Sequence, residues 1–208
     1  RHANLREFNF SQRRNHLVGK SMFNRLYALC LTPLISFWSG CFDETFDLTE
    51  AADLTDPQEY NSNQIFFKYP KNWEISADSN TTAFHNIYMQ TQGEAMVIYQ
   101  SYPSDVAESL TTFSKDFSEK MTQTEIPLGE ISKSELKAIP KVAGFEGIEE
   151  TFDISIIGIS VPHKRIFLSK KIADRQVFLI YQAAIEDHPQ TESGFNLIRD
   201  TLKESLGS

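Results

Sequence analysis

Phe145-Glu146-Gly147-Ile148-Glu149-Glu150-Thr151-Phe152-Asp153-Ile154-Ser155-Ile156 and Ile159-Ser160-Val161-Pro162-His163-Lys164-Arg165-Ile166-Phe167-Leu168-Ser169-Lys170-Lys171 are two long runs that meet about Gly158. In the first, Phe145, Gly147, Glu149 and Thr151 alternate with Ile148, Glu150 and Phe152. A period of two is the signature of a strand, and two such runs around one glycine predict a long antiparallel hairpin. A hairpin of that length sets the fold class, because its neighbours then pair with it through short turns.

Working outward, Asp174-Arg175 marks a turn, and Gln176–Glu186 contains Val177-Phe178-Leu179-Ile180-Tyr181, apolar on both faces and therefore central. Upstream, Leu128–Ile139 reads as one strand. Thr82–Gln90 and Glu94–Tyr102 read as two more, with Gly93 at the turn between them. Ile65–Tyr69 is aromatic-rich and strand-like, Pro70-Lys71-Asn72 ends it, and Trp73-Glu74-Ile75 resumes the apolar pattern.

Two segments change period. Val106, Leu110, Phe113, Phe117 and Met121 fall on one helical face, with Asp105 at the N-cap position and Glu108 three residues on, so a helix is expected over about 105–121. Pro189 opens a second, with Phe195, Ile198, Leu202 and Leu206 at helical spacing. The expected order is β-β-β-α-β-β-β-β-α: an α+β domain with an antiparallel sheet flanked by helices.

Phe67-x-Tyr69-Pro70-x-x-Trp73, Gly144-Phe145-x-Gly147 and the closing strand Val177–Ile185 before a helix resemble the PsbP-like/DcrB-like superfamily over about Asn63–Leu206. The corner makes physical sense, since proline stops the strand and the aromatics on either side fold into one cluster. The resemblance implies a PsbP-like α/β/α sandwich without shared catalytic residues. It also implies binding, since members assist membrane-protein assemblies, sit in bacterial envelopes or chaperone secreted effectors with hydrophobic segments.

Charge is unevenly distributed. The 208 residues carry 20 Lys+Arg and 28 Asp+Glu, a net −8. Residues 1–40 hold six basic residues and one acid, Glu7, so the remainder stands at −13. An acidic body argues against nucleic-acid binding, and two cysteines are too few for a disulfide scaffold. Leu26–Trp38 is uncharged and apolar but shorter than the roughly 20 residues of a membrane-spanning helix. With Lys20 and Arg25 ahead of it, Met22–Gly40 reads as a secretory signal peptide, and residues 1–21 as an upstream extension outside the mature protein.

Ser39-Gly40-Cys41 resembles the lipobox of bacterial lipoproteins, with Trp38 where that family prefers Leu. Cys30 lies inside the apolar core of the signal and fits less well. The resemblance implies cleavage before Cys41, a lipid-bearing Cys41, palmitate on the new amino terminus, and membrane attachment through that anchor. By that family's sorting rule Phe42 after the cysteine, where an Asp would imply the inner membrane, implies the outer membrane, facing the periplasm, with the inner membrane as the other reading. Residues 41–62 hold seven acids and no base over Cys41–Tyr60, and read as a tether with a reach of roughly 25 Å. A short helix around Leu48–Leu54, packed on the domain, is the other reading. The folded domain is expected over 63–208.

Chemistry is hard to find. After Cys41 the histidines are His85, His163 and His188, and none stands in an H-x-x-x-H pair. No nucleophile elbow or phosphate loop is present. Glu146, Glu149, Glu150 and Asp153 form an acidic run that reads as a solvated strand face, with Lys164-Arg165 and Lys170-Lys171 as cross-strand partners. The expectation is a non-catalytic envelope lipoprotein that binds a protein partner or apolar segment and needs no cofactor or metal. The alternative is a periplasmic hydrolase whose site is assembled only in the fold.

Overall fold

Two-residue turns organise the chain. The computed structural model describes residues 50–204 other than Gln92, Glu125 and Lys133. The extension, the signal peptide, Cys41 and the first part of the expected tether lie outside these residues. Strands β8 (Phe145–Ile156) and β9 (Ile159–Ile172) form the expected hairpin. Its turn residues Ile157 and Gly158 have φ of 50° and 80°, as the right-handed twist of a two-residue hairpin demands. The same geometry recurs at Asn63-Gln64, between β1 (Gln58–Ser62) and β2 (Ile65–Tyr69), and at Ala143-Gly144, between β7 (Glu135–Val142) and β8.

The main sheet also takes in β3 (Glu74–Asn80), β4 (His85–Gln90), β5 (Met96–Pro103), β6 (Gly129–Ile131) and β10 (Arg175–Ala184). Its order is β3-β4-β5-β10-β9-β8-β6, with β7 also on β8 and all pairings antiparallel. A small sheet, β1-β2-β11, ends in Lys203–Glu204 as β11. Helices α1 (Leu110–Thr122) and α2 (His188–Thr201) complete the described elements, a 3-10 turn at Ile185–Asp187 leading into α2. The fold is α+β, a mostly antiparallel sheet flanked by helices.

Pleating divides the core in two. On one face Phe113 of α1 stacks on Phe178 at 4.0 Å, and Phe117 meets Phe167 edge-on at 5.5 Å. On the other, Phe195 of α2 stacks on Tyr181 at 4.7 Å and packs on Trp73 at 5.4 Å. Phe178 and Tyr181 differ by an odd number along β10, so the helices cover opposite faces. The β5 and β10 runs are buried at nearly every position, as strands covered twice must be.

Four expectations are corrected. The tether to 62 is too long: Gln58–Ser62 is a strand, Ala52 donates its N–H to Gln190 O at 2.9 Å, and Asn72 Nδ2 donates to Ala51 O at 3.0 Å. Tyr60 supplies the one buried side chain of β1 and stacks on Phe67 at 4.9 Å. No helix forms over Glu50–Leu54 among the described residues. The first helix begins at Leu110, not 105, because Ser109 is its cap and accepts from Thr112 N at 3.2 Å; Val106 is exposed and belongs to a turn closed on Pro103 O. The strand expected over Leu128–Ile139 is two strands. Ser132 breaks it, donating its N–H to Asp153 O at 2.9 Å and accepting from Asp153 N at 2.8 Å.

Candidate functional site

The acidic run divides as its alternation requires, but its faces differ from the expectation. Glu150 is not solvated. It stands opposite Arg165, which stands opposite Gln182, so β8, β9 and β10 place a carboxylate, a guanidinium and an amide in one row beneath α1. Arg165 Nη1 donates to Glu150 Oε2 at 2.5 Å, and Nε and Nη2 donate to Gln182 Oε1 at 2.9 and 2.6 Å. The other Glu150 oxygen accepts from Ser118 of α1 and from Ser134 at 2.5 Å. The break in the expected strand thus delivers Ser134 to the buried charge.

Aromatic rings enclose this row. The Arg165 guanidinium lies 4.4 Å from the centre of Phe152, 5.1 Å from Phe117 and 5.8 Å from Phe167. Burial pulls the guanidinium's hold on its proton down, and Glu150 opposes that pull. Paired with each other and shut away from water, the two charges join α1 to three strands and leave no exposed acid–base group in the row.

A second polar cluster joins the small sheet to the edge of the large one. Tyr60 donates its hydroxyl to Asp78 Oδ2 at 2.8 Å, and His85 Nε2 donates to Asp78 Oδ1 at 2.9 Å. Burial pushes the His85 pKa down in spite of Asp78, which holds the neutral ring by its Nε2–H. Burial, then the hydrogen bond to Asp78, pushes Tyr60 up to about 12. An Asp–His pair is the orienting half of a catalytic triad, but the hydroxyl beside it is a tyrosine bonded to the aspartate and protonated at neutral pH.

The other two histidines pack on aromatic rings. His163 donates Nδ1–H to Val161 O at 2.9 Å and stacks on Phe152 at 5.6 Å. His188 meets Phe195 edge-on at 6.0 Å. Burial lowers the pKa of both. Among the described residues, no group of three His, Cys, Asp or Glu could hold a metal ion, and no helix is long and apolar enough to cross a membrane.

The open face of the hairpin is different. Glu135, Lys137, Glu149 and Thr151 line an open groove of about 350 Å³ on the β7–β8 pair. The register sets Glu135 opposite Thr151 and Lys137 opposite Glu149, so both signs of charge face solvent.

Similar solved structures include a cyanobacterial PsbP (CyanoP) from Synechocystis sp. PCC 6803, at 11% identity over 80% of this chain and 99% of that one, with a TM-score of 0.45. They also include LpqN, involved in cell envelope biogenesis of Mycobacterium tuberculosis, at 11% identity over 71% and 88%, with a TM-score of 0.38. No protein-family model and no curated protein matches the chain.

Of the residues singled out from sequence, the fold brings Glu150 and Arg165 together, as cross-strand pairing suggested. It keeps His85, His163 and His188 in separate environments. Cys41 lies outside the described residues. Asp78 and Tyr60 were missed, because their meeting with His85 depends on how the small sheet packs on β3 and β4.

Proposed function

We infer that the protein is a non-catalytic, lipid-anchored envelope protein, attached through Cys41 to the outer membrane and facing the periplasm, that binds a partner protein. The observation that supports the non-catalytic part of this reading is the placement of the acid–base groups, and the anchor rests on Ser39-Gly40-Cys41 alone. Glu150, Arg165, His85 and His163 are engaged in interior contacts. An open groove among the described residues is lined by Glu135, Lys137, Glu149 and Thr151, side chains that ion-pair and hydrogen-bond. No histidine lies among them to activate the Thr151 hydroxyl.

The test has two arms. Labelling with palmitate checks the anchor: label on the wild type and none on Cys41→Ala is expected, and an unlabelled wild type refutes lipidation. Cross-linking and capture from membranes checks the groove. The double reversal Lys137→Glu, Glu149→Lys loses the captured partner with an unchanged unfolding midpoint; capture that survives the reversal refutes the groove as the binding surface.

A further inference from the structure

At the far end of the β8–β9 hairpin, Ile154-Ser155-Ile156-Ile157-Gly158-Ile159-Ser160-Val161-Pro162 contains five branched aliphatic residues and no charged side chain. The register sets Ile156 opposite Ile159, Ile154 opposite Val161, and Ile131 of β6 opposite Ile154. These positions continue the row of Glu150 and Phe152 along β8, so they lie on the face that α1 covers further back. Burial runs out toward the tip. Phe152 is buried, Ile154 and Ile156 are half-buried, and Ile157 and Ile159 are 64% and 67% exposed. Leu128, 80% exposed, joins them, since Ile157 N–H donates to Leu128 O at 3.0 Å.

The backbone carries a cost at the same place. Leu128 and Ile157 have φ of 58° and 50°, a region that asparagine and glycine enter easily and a β-branched residue does not. Strain and exposure coincide on aliphatic side chains, which points to a use for those side chains in what they meet outside the chain.

We propose that this tip dips into the acyl boundary of a phospholipid bilayer, as a second membrane contact of the body. The chemistry selects lipid over protein. Energetic centres of protein interfaces are rich in Trp, Tyr and Arg and poor in Leu and Val, and the large exposed side chains of the tip, Leu128, Ile157 and Ile159, are all aliphatic, with Ser155, Ser160 and Glu130 beside them. A hydrocarbon layer takes up branched aliphatics without shape complementarity, and a shallow insertion of about 5–10 Å suffices for them. Backbone pairing of Ile156 with Ile159, and the Ile157–Leu128 bond, leave fewer polar groups to desolvate there. Chain length agrees, in a point that rests on the lipid anchor proposed above. Ala51 and Ala52 are already tied to the body, so the ten steps from Cys41 span at most about 36 Å and hold the body beside the membrane.

The experiment uses the full chain with Cys30→Ala and Cys41→Ala, which removes the lipid acceptor, so failure of the anchor and failure of the tip are read separately. Ile157→Cys carries an environment-sensitive nitrobenzoxadiazole label, and a control carries it at Lys141→Cys, on the β7 strand toward the opposite end of the hairpin. Vesicles of phosphatidylethanolamine and phosphatidylglycerol are added. The expected result is a several-fold rise in emission at position 157, quenched by nitroxide-bearing lipid, with little change at 141. Introducing Leu128→Asp and Ile159→Asp abolishes the rise while the circular dichroism spectrum is kept. A silent label at 157, whether or not the protein sediments with vesicles, overturns the proposal. So does a rise without vesicles that grows with protein concentration, which assigns the tip to a second copy. So does a rise that appears only with added envelope proteins.

Discussion

Arg165 and Glu150 occupy directly opposed positions on β9 and β8, and their charged ends meet at 2.5 Å with side chains 1% and 2% exposed. A buried pair is worth little against a well-packed apolar replacement, but removing one partner strands the other charge. Glu150→Leu or Arg165→Met is therefore expected to cost about 3–5 kcal/mol. The double change Glu150→Leu, Arg165→Met costs clearly less than the two single costs added. Urea unfolding of the four proteins gives the coupling, and strict additivity would rule out the ion pair as the link.

His85, His163 and His188 all have folded pKa values lowered by burial from the ordinary 6.5. Below pH 6.5 the unfolded chain binds protons at these positions that the folded chain refuses. Their contribution is thus fully present above that pH and is lost as the pH falls through the folded values. The unfolding midpoint is expected to drop between pH 7 and pH 5, and to drop less in His85→Asn, His163→Asn measured against its own value at pH 7. An equal slope in that variant would place the dependence on other groups.

Ser109 caps α1 and Asp105 does not. Ser109→Ala should cost about 1 kcal/mol, as a lost N-cap does. Asp105→Ala should stay within about 0.5 kcal/mol, the ordinary range for a surface change. Thermal or urea midpoints decide, and the reverse ranking would return the helix start to 105.

Gly194 lies against the Trp73 indole, and a β-carbon there would come within 2.6 Å of its ring and 2.7 Å of Pro70. Gly194→Ala overpacks this corner and is expected to cost about 1–3 kcal/mol. Intrinsic helix preference alone would make the same change favourable by about 1 kcal/mol, so the sign of the measured shift separates packing from propensity.

Ile157 is exposed with φ of 50°. Ile157→Asn supplies the residue that such a turn prefers and is expected to raise stability by about 1 kcal/mol. Chemical denaturation provides the check. A loss of stability would mean that the isoleucine side chain contributes to packing in the free protein.

The main elements were legible because their signals are periodic and long. The β8–β9 hairpin, the doubly covered β10 and the apolar stripe of α1 each repeat a spacing over many residues. Strand β1 was not legible, since five residues with one buried side chain, Tyr60, look like the acidic stretch before them. The break between β6 and β7 was missed for a related reason. It depends on Ser132 and Ser134 finding Asp153 and Glu150 across the sheet, and no local pattern records that.

The sequence by itself determined the class of fold and the uneven distribution of charge along the chain. Alternation and helical spacing act over neighbouring residues, and these dictate which faces must be buried. Tertiary structure alone decided what each polar residue does. Glu149 and Glu150 are adjacent in the chain, yet Glu149 lines an open groove and Glu150 is sealed beneath α1 with Arg165. Successive side chains of a strand point to opposite sides, and which side receives a helix is settled only when distant segments pack. The same holds for the aliphatic tip, whose exposure follows from where α1 ends its cover of the hairpin.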